Sequence, residues 1–173
     1  MTPTRRRHAG RSAVGVAVVL IVMGLALSGC SWVNHVLGRN DPDKPVSVSV
    51  FDVQVGDCFT APGDARAELS DLSKVPCGAP HQQEAYAIVA YAPPAGSDPS
   101  IYPGNQLLDT FAKGACADAF AGYVGTDYPD SSLWFTYLLP SARGWSQGDD
   151  RSVTCFVTTT GADLTASVKG SKL

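Results

Sequence analysis

Histidine is scarce: the 173 residues hold three, at positions 8, 35 and 81. His8 lies among the N-terminal arginines and His35 five residues after Cys30, so histidine chemistry further along the chain has to run through His81. The sequence has no Cys-x-x-Cys pair and no glycine-rich phosphate loop. These absences exclude a zinc ribbon and a nucleotide-binding loop. Acidic residues are missing from positions 1–29, and no charge of either sign occurs from Ala13 to Val33. Basic residues are few beyond that point. Without Arg5, Arg6, Arg7 and Arg11 the 13 basic side chains fall to 9 against 16 acidic ones, a formal charge of −7. Such a balance excludes a nucleic-acid partner.

What the N-terminus does have is a secretion pattern. The arginine cluster forms a positive n-region, Ala13–Leu27 an apolar h-region, and Leu27-Ser28-Gly29-Cys30 follows directly. That tetrapeptide resembles the lipobox of bacterial lipoproteins, in which a peptidase cuts before a cysteine already bearing diacylglycerol. The resemblance implies a signal peptide at 1–29, lipid on Cys30, and a chain held on the outer face of the cytoplasmic membrane. The rival reading is an uncleaved membrane helix over Ala13–Val33, whose 21 residues are enough to span a bilayer. Both place the rest of the chain outside, because the arginines stay on the cytoplasmic side. A twin-arginine signal is disfavoured because Arg7, His8 and Ala9 replace the apolar residues that usually follow the pair. The tail Ser171-Lys172-Leu173 matches a peroxisomal address by coincidence.

Residues 30–46 read as a lipidated tether. Trp32, Val33, Val36 and Leu37 fit either an interfacial helix or a disordered segment, and the Asn, Asp and Pro residues of Gly38–Pro45 form a spacer. Residues 47–173 are the extracytoplasmic domain, with seventeen glycines and twelve prolines in the whole chain pointing to many loops. Valines at 46, 48, 50, 53 and 55 predict β-structure leading to Cys58 and Phe59. Further strands are expected at Glu84–Tyr91, at Leu133–Leu139 (apolar enough to be buried on both faces), at Asp150–Thr159 and at Leu164–Val168. Pro93–Pro103 reads as a surface loop. Leu108, Phe111, Ala112, Ala115, Cys116, Ala119, Phe120 and Tyr123 recur at helical spacing, predicting a helix from about Pro103–Asn105 to Gly122 or Gly125. The expected class is α+β, with one amphipathic helix packed on a small, mainly antiparallel sheet.

Val55-Gly56-Asp57-Cys58-Phe59, Cys77 with Pro80, His81 and Glu84, Tyr102-Pro103-Gly104, Cys116 with Phe120, Tyr123 and Gly125, and Pro140, Trp145, Gly148, Asp149, Arg151, Val153 and Cys155 together carry a resemblance. The pattern resembles the septum formation domain of actinobacterial envelope proteins, over about residues 50–170. The family runs Gly-Asp-Arg together, whereas here Asp150 separates Asp149 from Arg151. The resemblance implies a part in division or wall assembly and a binding or structural domain outside the membrane. It implies no reaction.

Four cysteines follow Cys30, an even number that favours two disulfides in an exported chain. Neighbourhood pairs Cys58 with Cys77 and Cys116 with Cys155, each bridge adding about 2–4 kcal/mol. Zinc is the competing use, since Cys77 and His81 lie four apart, but it requires reduced thiols in an oxidising compartment. No metal or cofactor is therefore expected. His81 with Glu84, or with Asp57 or Asp149 brought near, would make a carboxylate-oriented base; a packed, hydrogen-bonded Pro-His turn is the simpler reading. Arg151 with Asp149 and Asp150 suggests a turn held by a salt bridge. Trp145 suggests a covered sheet edge, or a glycan-stacking surface if it and Tyr102, Tyr128 and Tyr137 are exposed. The favoured function is a non-catalytic module that binds an envelope protein or wall polymer, with His81, Glu84, Trp145, Asp149 and Arg151 as possible contacts. The alternative is an envelope hydrolase built on His81.

Overall fold

Six antiparallel strands form one sheet: β1 (Val46–Ser49), β2 (Cys58–Phe59), β3 (Asp71–Val75), β4 (Gln83–Ala90), β5 (Trp134–Leu138) and β6 (Ser152–Thr158). Their order across the sheet is β1-β3-β2-β4-β6-β5. A long helix, α1 (Asn105–Val124), packs on it, and a short one, α2 (Ala142–Gln147), follows β5. The structure is a computed structural model that describes residues 44–62 and 69–173. The signal, Cys30 and most of the tether lie outside the described residues. Among the described residues no helix is long and apolar enough to cross a membrane.

The α+β expectation holds, and α1 carries it. Leu108, Ala112, Cys116, Phe120, Tyr123 and Val124 are its buried residues, on the face whose apolar spacing marks the helix in the sequence. Gly125 ends the helix in the left-handed region at φ 90°, its N–H bonded to Ala121 O at 2.9 Å. Against this face the sheet sets Tyr86, Val153, Cys155 and Val157, forming the main core. The bond between Cys116 and Cys155 runs through this core from helix to central strand. The bond between Cys58 and Cys77 joins β2 to the loop after β3. Both pairings match expectation.

The opposite face of the sheet buries less. Phe59, Leu72, Ala85 and Phe156 cluster there with Val53, the rings of Phe59 and Phe156 meeting edge to face at 5.8 Å. A bulge between Ala85 and Ala87 shifts the register of β4 on β6 and turns Tyr86 toward the helix. Beyond it, Ile88, Thr154 and Leu138 stand in register across β4, β6 and β5 on this open face.

Three local expectations are corrected, and one strand is added to them. The first β-run is interrupted by a 3-10 turn at Val50–Asp52, capped by Ser49 Oγ, and by the turn at Gly56 (φ 97°). Strand β3 fills the space between β1 and β2. Leu133–Leu139 supplies an edge strand with Trp134 53% exposed, not a strand buried on both faces. Leu164–Val168 is irregular: Leu164 makes one isolated bridge, to His81, and Val168 is drawn inward by a bond from its N–H to a carboxylate.

Candidate functional site

The residues singled out in the sequence separate into two places. His81 and Glu84 lie together, beside the Cys58–Cys77 bond. His81 precedes β4 and exchanges both backbone hydrogen bonds with Leu164, at 2.9 and 2.8 Å. Its ring is fully enclosed, with Nδ1 2.8 Å from Ala79 O; Nε2 is the one buried side-chain polar atom without a partner among the described residues. Glu84, in β4 opposite Cys58 of β2, is also fully buried. Its Oε1 accepts from Tyr123 Oη at 2.5 Å and Ser167 Oγ at 2.6 Å, and its Oε2 accepts from the Val168 N–H at 2.9 Å. Three donors compensate the carboxylate for its lost water. Burial, then the adjoining Glu84, drives the Tyr123 pKa well above the ordinary phenol value.

The other acids proposed to orient His81 are engaged elsewhere. Asp57 accepts from Lys74 Nζ at 2.6 Å and from the Gln54 N–H at 3.1 Å. Asp149 pairs with Arg151 at 3.1 Å, on a side chain 93% exposed.

Trp145, Asp149 and Arg151 meet at the far end of α2. Trp145 is buried against Tyr91 and Tyr102, and its Nε1–H donates to Ser100 O at 3.2 Å. The Arg151 guanidinium lies 3.8 Å from the Trp145 ring centroid and donates to Trp145 O and Asp150 O at 2.8 and 3.0 Å. The ring is thus a covered anchor and offers no stacking face. Tyr102 is likewise half-buried, its hydroxyl held by Asn105. Tyr137, at the edge strand, donates to Asp109 at 2.5 Å, and burial followed by that bond pushes its pKa up to about 12.

What the sequence did not mark is a groove of about 1080 Å³ over the open sheet face. Its floor holds Ile88, Leu138, Ser152 and Thr154; one wall is the 3-10 turn with Val50 and Phe51, the other α2 with Arg143 and Gln147. Phe51 and Ile88 are 66% and 43% exposed. Plain alternation would put Ile88 on the face of Tyr86, and the bulge between Ala85 and Ala87 turns it to the other; no sequence signal marks that bulge or says that this face stays uncovered. Ser141 caps α2 by accepting from the Gly144 N–H at 3.0 Å, so the wall is a formed helix turn rather than loose loop.

Fold and site together define a small α+β domain, stapled by two disulfides, with one sheet face closed by a helix and the other open. The chain belongs to the septum formation family, whose model matches residues 55–172. No curated protein and no solved structure matches it. The family's description ties the domain to septum formation.

Proposed function

We propose that this chain is a lipoprotein anchored through Cys30 to the outer face of the cytoplasmic membrane, and that its domain is a non-catalytic module which binds an extended polypeptide of the division or wall-assembly machinery. The open groove carries this reading. At about 1080 Å³ it exceeds the usual size of a metabolite pocket and suits a polymer segment. Phe51 and Ile88 give apolar anchor points for side chains, and Ser141, Ser152, Thr154 and Gln147 give hydrogen-bonding groups for a backbone. A polypeptide is favoured over a wall glycan because Tyr102, the one tyrosine lining the groove, has its ring packed on buried Trp145 at 5.7 Å. The rival hydrolase would need His81 to reach a substrate, and that ring is enclosed on all sides.

The test is a photo-crosslinking amino acid placed at Ile88 in cells, with a second at exposed Asp118 on the helix side as control. A protease-sensitive adduct at Ile88, absent at Asp118 and lost when Phe51→Glu is added, is expected. An adduct sensitive to wall hydrolases but not to protease would replace the polypeptide with a glycan. Equal labelling at both positions would remove the groove from the proposal.

A further inference from the structure

The unpartnered Nε2 of His81 is an unusual atom to enclose. Ala79 O can only accept, so a hydrogen bond to it places the ring proton on Nδ1 and leaves a lone pair on Nε2. A buried ring nitrogen left open in this way is a metal ligand in waiting. One ring nitrogen of His81, Cys58 Sγ and a Glu84 carboxylate oxygen lie within 4.8 Å of one another. Cys77 Sγ is bonded to Cys58 Sγ but stands outside that 4.8 Å group, at its edge. No Cys-x-x-Cys is needed, because the pairing of Cys58 with Glu84 across β2 and β4 brings together ligands that lie far apart in sequence.

We propose that the Cys58–Cys77 disulfide masks a binding site for a zinc-class divalent cation, opened by reduction. An external dithiol supplies two electrons and two protons and is itself oxidised to a disulfide; the sulfur–sulfur bond of this chain breaks and two thiols form. Attack falls on Cys77, which is partly exposed, while Cys58, fully buried beside His81, leaves. The cation then displaces both thiol protons to solvent and is held by the two thiolates, a His81 nitrogen and a Glu84 oxygen. Donors around tetrahedral zinc stand roughly 3.3–3.8 Å apart, so Cys58, His81 and Glu84 tighten by about 1 Å from their present limit and Cys77 moves in to join them. Freeing Cys77 from Cys58 releases the Pro76–Pro80 turn to do so. The second disulfide is the built-in control: both Cys116 and Cys155 are fully buried in the main core. This inference concerns the opposite side of the sheet from the groove and stands or falls independently of it.

Full-length protein in detergent is treated with a phosphine reductant, without denaturant, and its free thiols are mapped by alkylation. It is then titrated with Co²⁺ followed by Zn²⁺. Alkylation of Cys58 and Cys77 alone is expected, with one Co²⁺ per chain, a thiolate charge-transfer band, and loss of that band on adding Zn²⁺. His81→Ala, with Cys116–Cys155 still oxidised, is expected to bind at least tenfold more weakly, and Cys58→Ser/Cys77→Ser not at all. Resistance of both disulfides to reduction, a cobalt spectrum without sulfur bands, or unchanged affinity in His81→Ala overturns the proposal. Should His81→Ala not fold, ring nitrogen shifts of the wild type decide: a His81 resonance unmoved between reduced apo and zinc-treated protein overturns it equally.

Discussion

Tyr123, near the end of α1, donates its hydroxyl proton to Glu84 of β4 at 2.5 Å, tying helix to sheet across 39 residues of chain. The phenol is the helix's polar contact with a carboxylate that has no water to fall back on. Tyr123→Phe keeps the ring's packing and removes one of three donors. A loss of about 1.5–3 kcal/mol is expected, the range for hydrogen bonds to charged groups. Urea denaturation reads it as a lower midpoint at unchanged slope; an unmoved midpoint would show that Ser167 and Val168 suffice for Glu84.

Alkali tests the same burial from another side. The phenol pKa values of Tyr86, Tyr123 and Tyr137 are raised, in each case first by burial, with Tyr137 at about 12. In the unfolded chain all three ionise near 10. A raised folded value gives stability that is complete below the unfolded pKa and drains as pH climbs toward the folded one. Unfolding free energy is therefore expected to hold level to about pH 9 and to fall between about 10 and 12. Tyrosinate absorbance of the folded protein at pH 11 is expected to fall well short of the six tyrosines in the sequence. Full ionisation without loss of helical signal would contradict this.

At the end of α2, Arg151 and Asp149 make unequal contributions to one visible ion pair. Arg151→Lys keeps the charge but loses the stack on Trp145 and the paired bonds to Trp145 O and Asp150 O. A loss of about 1–2 kcal/mol is expected from thermal unfolding. Asp149 sits at φ 52° with its carboxylate in solvent, so Asp149→Gly is expected to unfold at the wild-type temperature and Asp149→Val below it. A larger loss from Asp149→Gly than from Arg151→Lys would mean that the salt bridge, and not the stack, holds this turn.

Cys30 is expected to carry the lipid. Intact-mass analysis should find a chain beginning at Cys30 with two or three acyl chains, since one chain alone gives only marginal membrane binding. Cys30→Ala should keep residues 1–29. Mature protein beginning at Cys30 without acyl mass would show the lipobox reading to be wrong.

Much of the fold was legible in the sequence, and for identifiable reasons. Helix α1 announces itself because one apolar face recurs over five turns. Strands β4 and β6 announce themselves because a run of β-formers alternates around a cysteine or tyrosine. Strand β3 does not: Asp71-Leu-Ser-Lys-Val holds two apolar residues, and its place is set by pairing with β1 and β2. Helix α2 is six residues with a glycine inside, too short for periodicity to register. The apolar run of β5 reads as buried because sequence reports hydrophobicity and not which strand ends the sheet. Of the site, the nearness of His81 and Glu84 was readable from spacing and the disulfide pairs from neighbourhood. The partners of Glu84 were not. Ser167 and Val168 lie more than eighty residues away and carry no motif.

That distance bears on how the domain is made. A nascent chain that has released β4 and α1 holds Glu84 with one of its three donors, because the bonds from Ser167 Oγ and the Val168 N–H span 83 and 84 residues. The backbone N–H groups of Gly170 and Lys172 then bind Tyr123 O and Val124 O, closing over the helix end. A chain threaded through a narrow channel could not complete this interior until residue 168 had emerged. Residues 167–172 work as a latch on the helix end and on Glu84. For the export proposed above, a pathway that carries unfolded chains suits such a design better than one that requires a finished domain.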